Sequence, residues 1–336
     1  MTFTINRRHL IAGAAAAAAL PVAARAQGRL SVPKPAGFPR EPIELTVVYP
    51  AGGGMDITAR VVQRFFEKHS GERSFVNNRT GGAGLVGHTW LATQAPADGH
   101  AVGIVANLIF SDATRSQGRW NWSDLDHIAH LNAEPLNLVV NAEGPYRSGG
   151  LRGILDAVRQ RPGTIRVANV PGGYYEYMIE QLESAAGGRF LRVPFQGGAP
   201  GLTALLGNNV DLAFGFFGEI RGHLQGNRVV PVGVTGTQES SFLPGAPTVN
   251  SVTGRSDVNW GVSRWVAVPK AVPADRKAWL AAGFRAAVAD PELLTEFRAL
   301  GAVPNPALDT PEKVLADVTL MAQAEADFQA RRAQAR

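Results

Sequence analysis

Residues 43–66 read IELTVVYPAGGGMDITARVVQRFF, and the order of residue types in this stretch decides the fold class. Residues 43–49 are a short apolar run rich in β-branched side chains, the pattern of a strand buried on both faces. Pro50 and four small residues break it. Beyond them Ile57, Val61 and Phe65 recur at helical spacing and form one apolar stripe. A buried strand, a glycine turn and an amphipathic helix, in that order, open a βαβ unit.

The same grammar continues outward. Phe75-Val76 predicts a second strand, TGGAGLVG (80–87) a turn, then a helix to about Gln94 and a strand over 101–105. Further on, a helix over 152–161 stops at Pro162-Gly163, followed by a strand over 165–168, the turn VPGG and a helix over 175–186. Strands at 190–194, 210–214 and 229–234 complete a second α/β unit, with QGGAPG (196–201) turning into a helix over 202–206. Helices over 276–289, 291–300 and 311 to the end close the chain. The expected division is therefore 41–140 as a first lobe, 141–258 as a second, and 259–336 returning to the first. Linkers are expected near 137–145 and 257–268.

The 336 residues suit two lobes rather than one ordinary domain, and 45% hydrophobic with 18% charged residues is a globular composition. There is no cysteine, which excludes disulfides and thiol chemistry. The formal charge of +5 is concentrated at the start. Residues 1–26 carry Arg7, Arg8 and Arg25 and no acid, so the remainder has 30 Lys plus Arg against 28 Asp plus Glu. A nucleic-acid partner would need a basic stripe, and none is visible.

Residues 1–27 read MTFTINRRHLIAGAAAAAALPVAARAQ. Paired arginines, a short apolar core and the small-residue triplet Ala24-Arg25-Ala26 predict an export signal over 1–26. The apolar core falls short of the ~20 residues a spanning helix needs. The run RRHLIAG resembles a twin-arginine signal; an ordinary secretory signal carrying Arg-Arg is the alternative. Residues 27–40 are expected to be a Pro/Gly-rich leader. The mature chain is expected in the periplasm, with no membrane insertion.

Motifs for chemistry are scarce. There is no GxSxG, HExxH or GxxxxGK[ST], and the scattered histidines have no zinc spacing. Gly82-Ala83-Gly84-Leu85-Val86-Gly87 matches G-x-G-x-x-G, yet the preceding strand is poor and Asp98 is the sole acid near the right distance for a dinucleotide. No catalytic residue, metal or cofactor is assigned. What remains are loops suited to an anion. PAGGGMD (50–56) and Pro171-Gly172-Gly173-Tyr174 each lie between a strand and a helix, where free backbone N–H groups and the helix dipole favour negative charge. The same pattern also serves a plain strand-to-helix turn.

At these loops the chain resembles the periplasmic receptors of tripartite tricarboxylate transporters, the Bug receptor family. The matching pieces run in order: EPIELTVVYPAGGGMDITAR, NNRTGGAGLVG, APADGH, RPGTIRVAN, VPFQGGAPGLTALLGNNVDLAF, PGAPTV and DPELLTEFRALGA. The resemblance implies an α/β, type II periplasmic-binding-protein fold, two lobes with a ligand cleft between them, and no enzyme activity. It implies a small carboxylate ligand, membrane permease subunits as partners, and a monomer. By position it places Gly52, Gly53, Gly54, Met55 and Asp56 at the ligand, with Pro171, Gly172, Gly173 and Tyr174 from the second lobe.

The departures from the family pattern point to the ligand. Met55 stands where Thr or Ser is usual before the aspartate, and tyrosines follow the second-lobe loop. Phe214-Gly215 replaces a usual Asp-Asn at a strand end. The cleft is therefore expected to be more aromatic and less acidic than usual, suiting an aromatic or bulky apolar acid. Arg264 is a candidate for a direct ionic contact. A receptor for a periplasmic signalling partner, and a periplasmic hydrolase or nucleotide-dependent enzyme, are the alternative readings.

Overall fold

The computed structural model describes residues 30–334, except Gly173 and Asn259 and the side chains of Tyr174, Arg331, Arg332 and Gln334. The predicted export signal (1–26) and the first part of the leader lie outside the described residues.

Among the described residues a five-stranded sheet forms the first lobe, and a three-stranded and a two-stranded sheet, joined by one isolated bridge, form the second. The first lobe opens as residues 43–66 predict: β1 (Ile43–Val47), α1 (Gly54–Ser70) and β2 (Ser74–Asn78). After a 3-10 turn at Gly82–Gly84 come α2 (Leu85–Thr93), β3 (Ala101–Ala106), α3 (Leu108–Arg115) and the long β4 (Leu125–Pro135). The chain then enters the second lobe with β5 (Asn137–Asn141) and continues through α4 (Gly150–Gln160), β6 (Arg166–Asn169), α5 (Tyr174–Ala186), β7 (Leu191–Pro194), α6 (Gly198–Leu206) and β8 (Ala213–Gly215). α7 (Phe217–Gln225), β9 (Val229–Val234) and the short α8 (Val249–Thr253) complete it. β10 (Gly261–Pro269) returns to the first sheet, followed by α9 (Ala274–Val288), α10 (Pro291–Ala299) and α11 (Pro311–Gln334).

The first sheet has the order β2-β1-β3-β10-β4, with β1 parallel to β2 and β3, and β10 antiparallel to both its neighbours. The second lobe repeats this plan. β6 pairs parallel with β7, a parallel bridge from Val167 to Leu212 leads toward β8, and β5 runs antiparallel between β8 and β9. In each lobe an antiparallel strand joined to the other lobe is inserted beside the third parallel one.

The central parallel strands are buried because helices cover both faces of the sheet, whereas the edge strands β2 and β7 are partly exposed. β1 and β3 are almost wholly buried, and α1 lays Val62, Phe65 and Phe66 against them and against α9, where Phe66 stacks on Phe284 at 4.4 Å. β4 is less regular in character: it buries His127, His130, Asn132 and Glu134 toward β10.

Two segments join the lobes, at Pro135–Asn137 and ahead of Gly261. They are tied side by side, since Leu136 N–H donates to Thr235 Oγ1 (2.9 Å), Thr235 N–H to the Leu136 carbonyl (3.0 Å) and Gly236 N–H to the Val258 carbonyl (3.0 Å). α11 packs on β4 and α3, then reaches the second lobe, where Phe328 meets Tyr177 of α5 edge-on (centroids 4.2 Å) and Trp260 at 5.9 Å.

Candidate functional site

The glycine loops of the two lobes meet. Following β1, Gly53 is the N-cap of α1; following β7, Gly197 is the N-cap of α6. A Cβ at Gly197 would stand 2.9 Å from the Pro50 ring, so the loops pass at near-contact distance. Other contacts close the same face. Ala83 N–H donates to Gln196 Oε1 (3.1 Å), and Gly54 N–H donates to Glu219 Oε1 (2.8 Å). Gly172 lies against Arg115, 2.7 Å from a Cβ at this position, with a φ of +72° that also favours glycine.

Between the loops lies a cavity lined by Tyr49, Pro50, Gly53, Gly54, Met55 and Leu108 of the first lobe, with Val262 of β10. The second lobe contributes Val170, Tyr175, Gly197, Gly198, Phe216 and Glu219. The space open to centres of water-sized spheres is ≈ 50 Å³, room for on the order of four waters at about 10–15 Å³ each. Its walls are mostly apolar. The polar groups are the start of α1, whose Met55 and Asp56 amides have no intrahelical acceptor, together with Tyr49, Asn107, Tyr175 and the Glu219 carboxyl. Burial raises both tyrosines well above their ordinary range, so they are neutral donors.

Of the residues singled out in the sequence, Gly53, Gly54 and Met55 line the cavity. Asp56 is a correction. Its side chain is buried in the wall, where Oδ2 accepts from Gly52 N–H (3.0 Å) and Arg60 Nε (2.9 Å), and Oδ1 from Asn78 Nδ2 (3.1 Å). Burial pushes this carboxyl up, but those donors and the Arg60 charge outweigh it and hold it below its usual value. It braces the loop. Glu176 does the same in the second lobe, accepting from Gly172 N–H at 2.7 Å. Gly52, Pro171 and Gly172 therefore shape loops without lining the cavity, and Gly173 and the Tyr174 side chain lie outside the described residues.

Arg264 is the second correction. It is fully buried beneath Gly54 and Phe216, its guanidinium 4.7 Å from the Phe216 ring centre. Nη1 donates to Asn132 (3.0 Å) and pairs with Glu134, so its charge is already engaged and a direct ionic contact is blocked by the wall. Nε and Nη2 have no protein acceptor among the described residues.

Where a Gly215 Cβ would stand, Ile220 is the nearest neighbour at 2.8 Å and Glu219 Oε2 lies at 3.5 Å. The cavity therefore does hold an acid, from the first turn of α7. Phe214 packs behind the wall on Tyr175, centroids 5.1 Å apart. Sequence reasoning missed Tyr49, Tyr175, Gly197, Gly198 and Glu219. QGGAPG repeats the strand–glycine–helix order of PAGGGMD, and that parallel was the available signal.

The glycine motif at 82–87 does not make a nucleotide pocket. Ala83 is capped by Gln196, a Cβ at Gly87 would stand 2.5 Å from the Arg79 carbonyl, and Asp98 is committed to His100.

The model of the tripartite tricarboxylate transporter family receptor matches residues 58–304. The chain belongs to this family. A UPF0065 protein from the tcbD-tcbE intergenic region of Pseudomonas sp. (strain P51) is 31% identical over 88% of this chain and 86% of its own. Protein BugT of Bordetella pertussis is 25% identical over 63% of this chain and 66% of its own. Among solved structures, the periplasmic binding protein BugD superposes with a TM-score of 0.81 at 24% identity, covering 88% of this chain and 98% of that one. MatC of Rhodopseudomonas palustris, solved with bound malate, gives 0.76 at 21% identity, covering 86% and 99%. The family consists of binding receptors, not enzymes, and the two-lobed fold agrees with it. Among the described residues no helix is long and apolar enough to cross a membrane.

Proposed function

We propose that the chain is a periplasmic receptor that captures a small organic carboxylate in the cleft and delivers it to the permease of a tripartite transporter. The observation that carries this reading is the cavity between lobes, walled by glycine loops at the starts of α1 and α6. The backbone amides of Met55 and Asp56 at the start of α1, with Gly197–Gly198 of the second lobe across the cavity, are the proposed anion seat. Such helix starts suit a carboxylate without a cationic side chain, and bridging waters extend their reach.

Met55, Leu108, Phe216, Tyr49 and Tyr175 give the remainder of the ligand an apolar, partly aromatic surface. An acid with an apolar or aromatic body fits that lining. Because the loops of the two lobes touch around the cavity, its entry requires the lobes to part and reclose on it. Hinge closure of this kind is the usual motion of two-lobed binding proteins.

A thermal-shift panel of malate, citrate, succinate, adipate, benzoate and aspartate on the mature chain tests the reading, since a ligand bound only by the native state raises Tm. At least one acid should do so, benzoate or adipate more than citrate. No shift with any of them rejects the receptor reading. The proposed twin-arginine route has its own check: replacing Arg7 and Arg8 by Lys should block export, and unchanged export would leave the ordinary secretory route.

A further inference from the structure

Glu219 is a half-buried acid on the wall of the proposed seat. It stands in the first turn of α7, where Oε2 accepts from Phe216 N–H (2.7 Å) at the start of its own helix. Oε1 crosses the cleft to accept from Gly54 N–H (2.8 Å) at the start of α1. One carboxyl thus bridges the helix starts of both lobes. Glycines make room for it: a Cβ at Gly53 or Gly198 would lie 3.5 or 3.2 Å from Oε1.

Its charged surroundings are unbalanced. β10 supplies Arg264 and β4 supplies Glu134, already joined to each other. α5 supplies Tyr175 and the segment after β1 supplies Tyr49, both neutral. α1 supplies Asp56, turned away to Arg60, and α6 presents only the glycine backbone. One guanidinium therefore faces two carboxyls before any ligand arrives. A ligand carboxylate at the start of α1 would be the third acid around a single cation, next to the group that already holds Gly54 N–H. Two carboxylates in contact away from water do not both stay ionised. A proton between them replaces repulsion with a short, charge-assisted O–H···O hydrogen bond.

We propose that Glu219, carrying a proton, donates it in a hydrogen bond to the ligand's carboxylate, so that the cleft binds a carboxylate together with one proton. The inference deepens the receptor reading and rests on it. The proton is available near neutrality even without ligand. Burial pushes Glu219 up to about 7, the Phe216 and Gly54 amides oppose this, Glu134 adds to it and Arg264 subtracts. A bound anion raises it further. The sign follows: affinity is full where free Glu219 is protonated and falls as pH rises above that point, by up to about tenfold per pH unit. A ligand ammonium at the same place would reverse the slope.

The test is calorimetry on the mature chain with whichever acid of the panel shifts Tm most. Titrations in buffers of different ionisation enthalpy should show uptake approaching one proton at about pH 8, and binding at least about tenfold weaker at about pH 8.5 than at about pH 6. Glu219→Gln cannot titrate, and its amide nitrogen cannot accept from one of the two backbone N–H groups, so it should bind more weakly than wild type at about pH 6 and show no pH slope. Wild-type binding with no proton uptake and constant affinity, or affinity that rises with pH, overturns the inference, and this arm does not depend on the variant folding. Absence of binding by every acid at every pH rejects the receptor reading and this inference together; binding without proton linkage rejects this inference alone.

Discussion

Gly53 and Gly54 are neighbours in the proposed anion seat with opposite tolerances. A Cβ on Gly54 would stand 2.7 Å from Arg264 Nη2 and 2.8 Å from the Phe216 ring, both packed in the wall. On Gly53 the nearest atom is the Pro50 carbonyl at 3.2 Å, and its φ of −78° is open to any residue. Gly54→Ala should therefore displace Phe216 or the guanidinium and weaken ligand binding at least tenfold, ~1.4 kcal/mol. Gly53→Ala should change it less than about threefold, well under that step. Calorimetry on the pair checks this, and equal losses would contradict it. The loop was legible because successive glycines between a strand and a helix have few other uses. Asp56, Arg264 and Glu219 were not. An acid in the first helical turn reads the same whether it faces a ligand, braces a loop or bridges two lobes; Asp56 is tied down by Arg60 one turn on, and only the distant Gly54 marks Glu219 as a bridge.

Among the elements, α10 shows how one residue fastens a helix. Asp290 is its N-cap, accepting from Glu292 N–H at 2.9 Å, and it also holds Lys68 (2.9 Å) and His69 (2.8 Å) at the end of α1. Burial pushes its carboxyl up, yet Lys68, the Glu292 amide and His69 outweigh this and bring it to about 2. Asp290→Ala should cost about 1–2 kcal/mol by urea unfolding near neutral pH. A depressed acid contributes stability above its unfolded value of ~3.9 and loses it as pH falls toward the folded value. The gap between wild type and variant should therefore narrow from about pH 4 downward; a constant gap would show that the carboxylate charge is not what matters. Strands with plain patterns, β1 and β3, were readable from sequence. β4 was not, because His127, His130, Asn132 and Glu134 interrupt its apolar pattern while satisfying partners on β10, which lies about 130 residues away in the chain. α3 and α7 were missed as well, each being a short helix without a long apolar stripe.

For the molecule as a whole, the two α/β units in series were evident, since each repeats strand, glycine turn and helix. How tightly the units face each other was not, because contacts such as Ala83 with Gln196 leave no local trace. One further feature bears on that relation. α11 lies on the first lobe, and its Phe328 is clasped by Tyr177 and Trp260. Any change of angle between the lobes must therefore break that clasp or drag the helix along its bed. If ligand binding changes that angle, the change is carried to an outer surface. A membrane partner touching α11 could tell a loaded receptor from an empty one without ever reaching the ligand.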